Sequence, residues 1–172
     1  MTTTPRTWVV GETVTAALMN QEIRDQFNSF FGGWTSYTPA WTATTTNPTL
    51  GNGTIVGRYL KIGRTCHVML RLVIGSTTAA GSGSYRLSLP ATAVTVSNGT
   101  PGVLNYTYYR AGLSPNYIMG SGPLLSAGTN TDDIWFANPA SAGDWNQWSD
   151  SGPWTKTTGD IVTCYGVYQT AS

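Results

Sequence analysis

The chain has 172 residues and a formal net charge of +1, with only 10% of its side chains charged and lysine present just twice, at Lys61 and Lys156. That balance excludes the basic footprint of a nucleic-acid binder, and 12% aromatic residues exclude a disordered chain, which would be charge-rich and aromatic-poor. No run approaches the roughly 18 apolar residues of a membrane span, and no apolar signal-peptide core follows the first residues, so neither membrane insertion nor secretion is expected.

Twenty-eight Thr and 20 Gly beside seven Trp favour strands and tight turns over helices. The one helical pattern runs over 15–31. Thr15 is placed to cap it, and Ala16, Met19, Ile23, Phe27 and Phe30 recur at three- and four-residue steps. Gly32-Gly33 is the expected stop. So short a helix needs a docking partner, either its own domain or copies of itself around an axis. Beyond Gly33 the period changes to two. A strand is expected over 54–60. Cys66, Val68, Leu70, Leu72 and Ile74 then alternate with His67 and Arg71 in the clearest strand of the chain. Further strands are expected over 85–89, 93–96, 104–108, 117–119, 134–136 and 161–168. The stretch 137–159 reads as a long polar loop carrying Trp145, Trp148 and Trp154. Turn signals every 8–12 residues between short strands are the mark of an antiparallel sandwich or barrel. The expected fold is therefore mainly β: an antiparallel, jelly-roll-like β-sandwich head over 34–172, preceded by a short N-terminal helix within 1–33.

The supply of catalytic parts is thin. His67 is the one histidine, and Cys66 beside it points to the opposite face of its strand. Cys66 and Cys164 read as buried, reduced thiols rather than a disulfide framework. Asp132-Asp133, Asp144 and Asp150 lack the spacing of a calcium loop. Glu12 and Glu22 lie far in sequence from the Trp-rich segment, so no carboxylate pair for glycoside hydrolysis is evident. The expectation is a non-enzyme with no cofactor and no metal. The aromatic cluster carries more information. Trp135, Trp145 and Trp148 lie among Asp144, Asn146 and Gln147, and exposed rings beside short polar side chains suit a sugar: the ring covers its apolar face while amides and carboxylates meet its hydroxyls. Tyr106, Tyr108, Tyr109 and Tyr117 suggest a second such surface. The opposing expectation is that these aromatics fill a core or a subunit interface.

A family pattern is also present. The run from Trp8 through Gly11-Glu12, Val14-Thr15-Ala16 and Asn20 to Arg24-Asp25 resembles the N-terminal attachment segment of tailed-phage fibre and minor tail proteins. Tyr37-Thr38-Pro39-Ala40-Trp41-Thr42, Asn47-Pro48-Thr49-Leu50-Gly51-Asn52-Gly53-Thr54, Gly57-Arg58-Tyr59 and Ile62-Gly63 resemble the opening of a head domain in such proteins, especially those of phages of actinobacteria. Gly152-Pro153-Trp154-Thr155, Thr158-Gly159-Asp160 and Gly166-Val167-Tyr168 fit the same pattern near the end of the chain. The resemblance implies a virion protein of the tail, assembled in the bacterial host cytoplasm as a homotrimer. Trp8, Asn20, Arg24 and Asp25 would serve attachment to other virion tail proteins. Met19, Ile23, Phe27 and Phe30 would serve trimerisation. The head would bind a host cell-surface polysaccharide, with Trp135, Asp144, Trp145, Asn146 and Trp148 as the expected contacts. The alternatives are an architectural tail-tip or capsid decoration protein, a fibre of a phage-like contractile injection particle, and, for the head, a depolymerase.

Overall fold

Helix and strands occupy separate parts of the chain in a computed structural model that describes residues 6–113, 117–125, 127–131, 134–138 and 143–171. Asp132 and Asp133 lie outside the described residues. The helical stretch is continuous but mixed: α1 (Ala16–Met19), a π-helical turn (Asn20–Arg24) and α2 (Asp25–Phe31). Thr15 caps it as its position implies, its Oγ1 accepting the Leu18 N–H at 3.2 Å. Gly32 ends it, but in an extended conformation rather than the left-handed one of a glycine C′ residue. Space dictates the glycine: a Cβ here would sit 2.6 Å from the Asn28 carbonyl oxygen.

Ten strands follow among the described residues: β1 (Thr35–Tyr37), β2 (Trp41–Ala43), β3 (Thr54–Ile62), β4 (Thr65–Val73), β5 (Tyr85–Leu87), β6 (Gly102–Tyr109), β7 (Tyr117–Pro123), β8 (Trp135–Ala137), β9 (Trp145–Gln147) and β10 (Ile161–Gln169). Every pairing between them is antiparallel. Eight form one sheet in the order β1-β3-β4-β10-β6-β7-β8-β9, and β2 pairs with β5 in a small second sheet. The protein is mainly β, with a sandwich-like arrangement whose two layers are unequal. The final strand, β10, lies between β4 and β6, so the head closes only when the last described residues are in place.

Alternation explains which face carries the core. Cys66, Val68, Leu70 and Leu72 of β4, Leu104, Tyr106 and Tyr108 of β6, and Val162, Cys164 and Tyr168 of β10 all point inward and are buried. The small sheet covers them with Trp41, Tyr85 and Leu87, and Ile134 and Phe136 at β8 join the same core. A backbone bond from Tyr85 N to the Trp148 carbonyl, 2.9 Å, ties the small sheet to the end of β9. Gly120 of β7 makes room for Phe136 of β8, its Cβ position lying 2.7 Å from Phe136 Cδ1.

A buried carboxylate fastens one end of β10. Asp160 accepts hydrogen bonds from Tyr108 Oη at 2.9 Å, Ala111 N at 2.9 Å, Thr157 N at 3.0 Å and Thr157 Oγ1 at 2.8 Å. Burial and the neighbouring Asp160 charge push the Tyr108 hydroxyl far above the ordinary phenol value.

Three expectations need correction. The segment over 93–96 is not a strand; Ala93 makes one isolated bridge, to Thr170. Residues 137–159 are not one loop, because β9 pairs with β8 there and Trp148 enters the core. β1 and β2 are strands that the alternation of 35–43 does not announce. The cysteines are free and buried, and burial pushes the Cys164 thiol up to about 12.

Candidate functional site

Among the described residues no second layer covers the outer face of the eight-stranded sheet. Because β strands alternate, the residues that cross it can be read from the register. One row runs Arg58, Met69, Tyr165, Asn105, Ser121, Trp135, Gln147, crossing β3, β4, β10, β6, β7, β8 and β9 in turn. A second runs Val56, Arg71, Thr163, Thr107, Met119. A third runs Thr54, Val73, Ile161, Tyr109, Tyr117. Val56, Met69, Val103, Tyr117, Met119, Trp135, Tyr165 and Val167 all stand exposed on this face. A monomer rarely leaves so much contiguous apolar surface in water without a partner for it.

The expected sugar contacts divide across this sheet. Trp135 and Trp145, 40% and 53% exposed, share the outer face. Trp135 pairs with Gln147 and Trp145 with Ala137, so the two indoles are diagonal neighbours, about 7–8 Å apart in backbone terms. Asp144 is exposed just before β9, and its carbonyl accepts the Asn138 N–H at 2.8 Å, which anchors the start of that strand. Asn146 does not join them. It pairs with the buried Phe136 and so belongs to the inward face.

Trp148 is a correction. It is 1% exposed, stacks on Trp41 at 6.2 Å between ring centroids, and meets Tyr85 edge-on at 4.9 Å and Phe136 edge-on at 6.5 Å. It closes the core and is not available to a ligand. Its position two residues beyond Asn146 gives it the same inward parity, which the polar surroundings concealed. Of the four tyrosines suggested as a second surface, Tyr106 and Tyr108 are core. Tyr109 and Tyr117 face outward and pair across β6 and β7 at 4.9 Å.

Sequence reasoning missed Arg58, Arg71, Tyr165, Asn105 and Ser121. They sit on five different strands, β3, β4, β10, β6 and β7, and only the register brings them together. The signal was present in the alternation of His67 and Arg71 against the apolar run of β4. Two broad depressions mark this face. One, of about 580 Å³, is lined by Arg71, Thr107, Tyr109, Tyr117, Ile161 and Thr163. The other, of about 440 Å³, includes Val56, Arg58, Met69, Arg71, Thr163 and Tyr165. Among the described residues no group of three or more His, Cys, Asp or Glu side chains is placed to hold a metal ion.

The loop after β9 is held from within. Lys156 Nζ donates to the carbonyls of Ser149, Gly152 (2.8 Å) and Trp154 (2.9 Å), and lies 5.0 Å from the centroid of the Tyr85 ring. Burial draws its ammonium down to about 7, against the opposing pull of Asp150 and Asp160.

The N-terminal segment is a second candidate surface. Met19, Ile23, Phe27 and Phe30 are all exposed, and Phe27 stacks only on Phe31 of the same helix, at 6.4 Å. The helix meets the head where α2 touches β3. Trp8 is exposed under the Arg6 guanidinium, 4.9 Å from its ring, and Arg6 is ion-paired with Glu12. Asn20 opens the π-helical turn, and Arg24 and Asp25 form an exposed ion pair at 2.8 Å. No helix of the described residues is long and apolar enough to cross a membrane.

Comparison of the chain with protein-family models, with curated proteins and with solved structures finds no match in any of the three.

Proposed function

We propose that the protein is a structural component of a phage tail, a fibre or receptor-binding protein that trimerises through its N-terminal helix and binds a host cell-surface polysaccharide with its head. The observation that carries this reading is the unpartnered apolar stripe of the helix. The head completes its core without Met19, Ile23, Phe27 or Phe30, so these side chains have no function inside one copy. Each is about half exposed, so burying the remainder in a helical bundle contributes about 1 kcal/mol per side chain, which over four positions in three copies holds a short stalk together.

Trp8, Asn20, Arg24 and Asp25 lie along the same segment and are its candidates for attachment to other tail proteins, as the resemblance to phage attachment segments implies. Trp135 and Trp145, with Asp144 beside them, are the candidates for glycan contact. Three weak sites on one trimer gain avidity from a shared surface. The apolar outer sheet face favours a second reading, an architectural protein whose head packs on another virion component.

Binding of the purified protein to host cells and to a glycan array separates the two. The first reading expects retention that falls at least about tenfold, or 1.4 kcal/mol, in Trp145→Ala and Trp135→Ala. Absence of any cell or glycan binding by the wild type removes it in favour of the architectural role.

A further inference from the structure

The outer face of the large sheet holds two arginines that form no ion pair among the described residues. Arg58 on β3 and Arg71 on β4 are exposed diagonal neighbours, since Arg58 pairs with Met69 and Arg71 with Val56. Such positions stand about 7–8 Å apart, close enough for both guanidinium groups to converge on one anion. Neither forms an ion pair among the described residues. They line one depression of about 440 Å³ together with Thr163 and Tyr165.

Six of the eight acidic residues are described, and none of them forms an ion pair with Arg58 or Arg71. Glu12 pairs with Arg6, Glu22 accepts from Arg6 N, and Asp25 pairs with Arg24. Asp150 accepts from Gly83 N, Asp160 is buried in its own network, and Asp144 has a partner. Among the described residues no carboxylate is ion-paired with the two arginines, which leaves them open to an anion of another molecule.

The row that starts at Arg58 says which kind. Across neighbouring strands it presents Met69 and Tyr165, then Asn105 and Ser121, then Trp135, and Gln147 follows. Tyr165 and Trp135 are three strands apart, about 14 Å at ~4.8 Å per strand, which is the length of roughly three pyranose units. Rings at both ends with an amide and a hydroxyl between them match the alternation of apolar faces and hydroxyls along a sugar chain. A protein partner would call for continuous apolar packing at the centre of this row, where Asn105 and Ser121 stand instead.

We infer that the head binds an anionic polysaccharide laid across the strands, with its rings on Tyr165 and Trp135 and its acidic group held by Arg58 and Arg71. This rests on the glycan reading above and extends that site from the β8–β9 edge across the whole sheet. The acidic group is a carboxylate or a phosphate, both of which a guanidinium fork recognises.

The test measures retention of the full-length protein on immobilised polygalacturonate, on poly(glycerol phosphate) and on neutral dextran. Wild type, Arg58→Gln, Arg71→Gln, Tyr165→Ala and Trp135→Ala are compared, each checked by near-ultraviolet circular dichroism and by sedimentation. The expected result is retention on one acidic polymer and not on dextran, weakened at least about tenfold in each variant. Which polymer retains the protein distinguishes carboxylate from phosphate. Equal retention on dextran, lost in Trp135→Ala but kept in both arginine variants, overturns the anionic ligand and leaves the glycan reading standing. Retention lost in the arginine variants but unchanged in Tyr165→Ala reduces the effect to bulk charge and also overturns it. Loss of the oligomer in the arginine variants assigns the face to contact between copies. Failure of the wild type on all three polymers removes the acidic site, and the reading beneath it falls only if host cells are not bound either.

Discussion

The head encloses Trp41 and Trp148 in one aromatic cluster, whereas the segment before it leaves Trp8, Met19, Ile23, Phe27 and Phe30 in solvent. Both regions are rich in large apolar side chains, and neither carries much charge. What separates them is layering. Strands of period two stack a second layer over one face and close it within a single copy. A lone amphipathic helix has nothing opposite its stripe and must find it in another molecule. The core of the head is thus completed within one copy, and under the proposed function the stripe of the N-terminal segment is covered by assembly.

Substitutions that treat the two regions alike should give opposite results. The largest effect is expected at Trp148→Ala, which removes the central ring of the cluster with Trp41, Tyr85 and Phe136. A loss of about 3–5 kcal/mol in urea unfolding is expected, while Trp145→Ala, on the outer face, stays within about 0.5 kcal/mol. Equal losses would erase the distinction between core and surface tryptophan. Asp160→Asn comes next. It puts an amide donor among the four donors that now meet the carboxylate, and thermal unfolding should report a loss of about 2–3 kcal/mol.

Ile23→Asp should leave the melting of the head unchanged and abolish self-association, since the residue is exposed in one copy. The smallest effect concerns Lys156. Unfolded, it holds its proton to about 10.5, and folded, only to about 7. Between those values the unfolded chain binds more protons, so stability rises with pH from about 7, by less than 1.4 kcal/mol per unit. Below about 7 both states are protonated and the slope disappears. Near pH 9 the buried thiols of Cys66 and Cys164, raised by burial, begin to act in the opposite sense. Denaturant midpoints from pH 7 to 8 should therefore climb in wild type and stay flat in Lys156→Met. A matching climb in the variant assigns the slope to another group.

Much of the head was legible in the sequence because alternation is a local signal. Cys66 to Leu72 read as an alternating strand with one apolar face, and that face is buried; 104–108 and 161–168 read as strands, but the burial of Tyr106 and Tyr108 did not follow from the alternation alone. The helix over 15–31 and its Thr15 cap were legible for the same reason. What escaped was non-local. β9 is three residues long in a polar stretch, and only pairing with β8 makes it a strand. Trp148 looked accessible because its sequence neighbours are polar, yet its contacts come from Trp41 and Tyr85, more than sixty residues away. The row from Arg58 to Gln147 is invisible in the chain, because it runs across strands rather than along them.

The direct measurement is the sedimentation of the full chain beside its Ile23→Asp variant at micromolar concentration. Wild type should sediment at about 55 kDa, three times 18.4 kDa, and the variant as a single folded copy with unchanged near-ultraviolet circular dichroism. A wild type that remains a monomer, or a variant that remains a trimer, would contradict the account of the N-terminal helix.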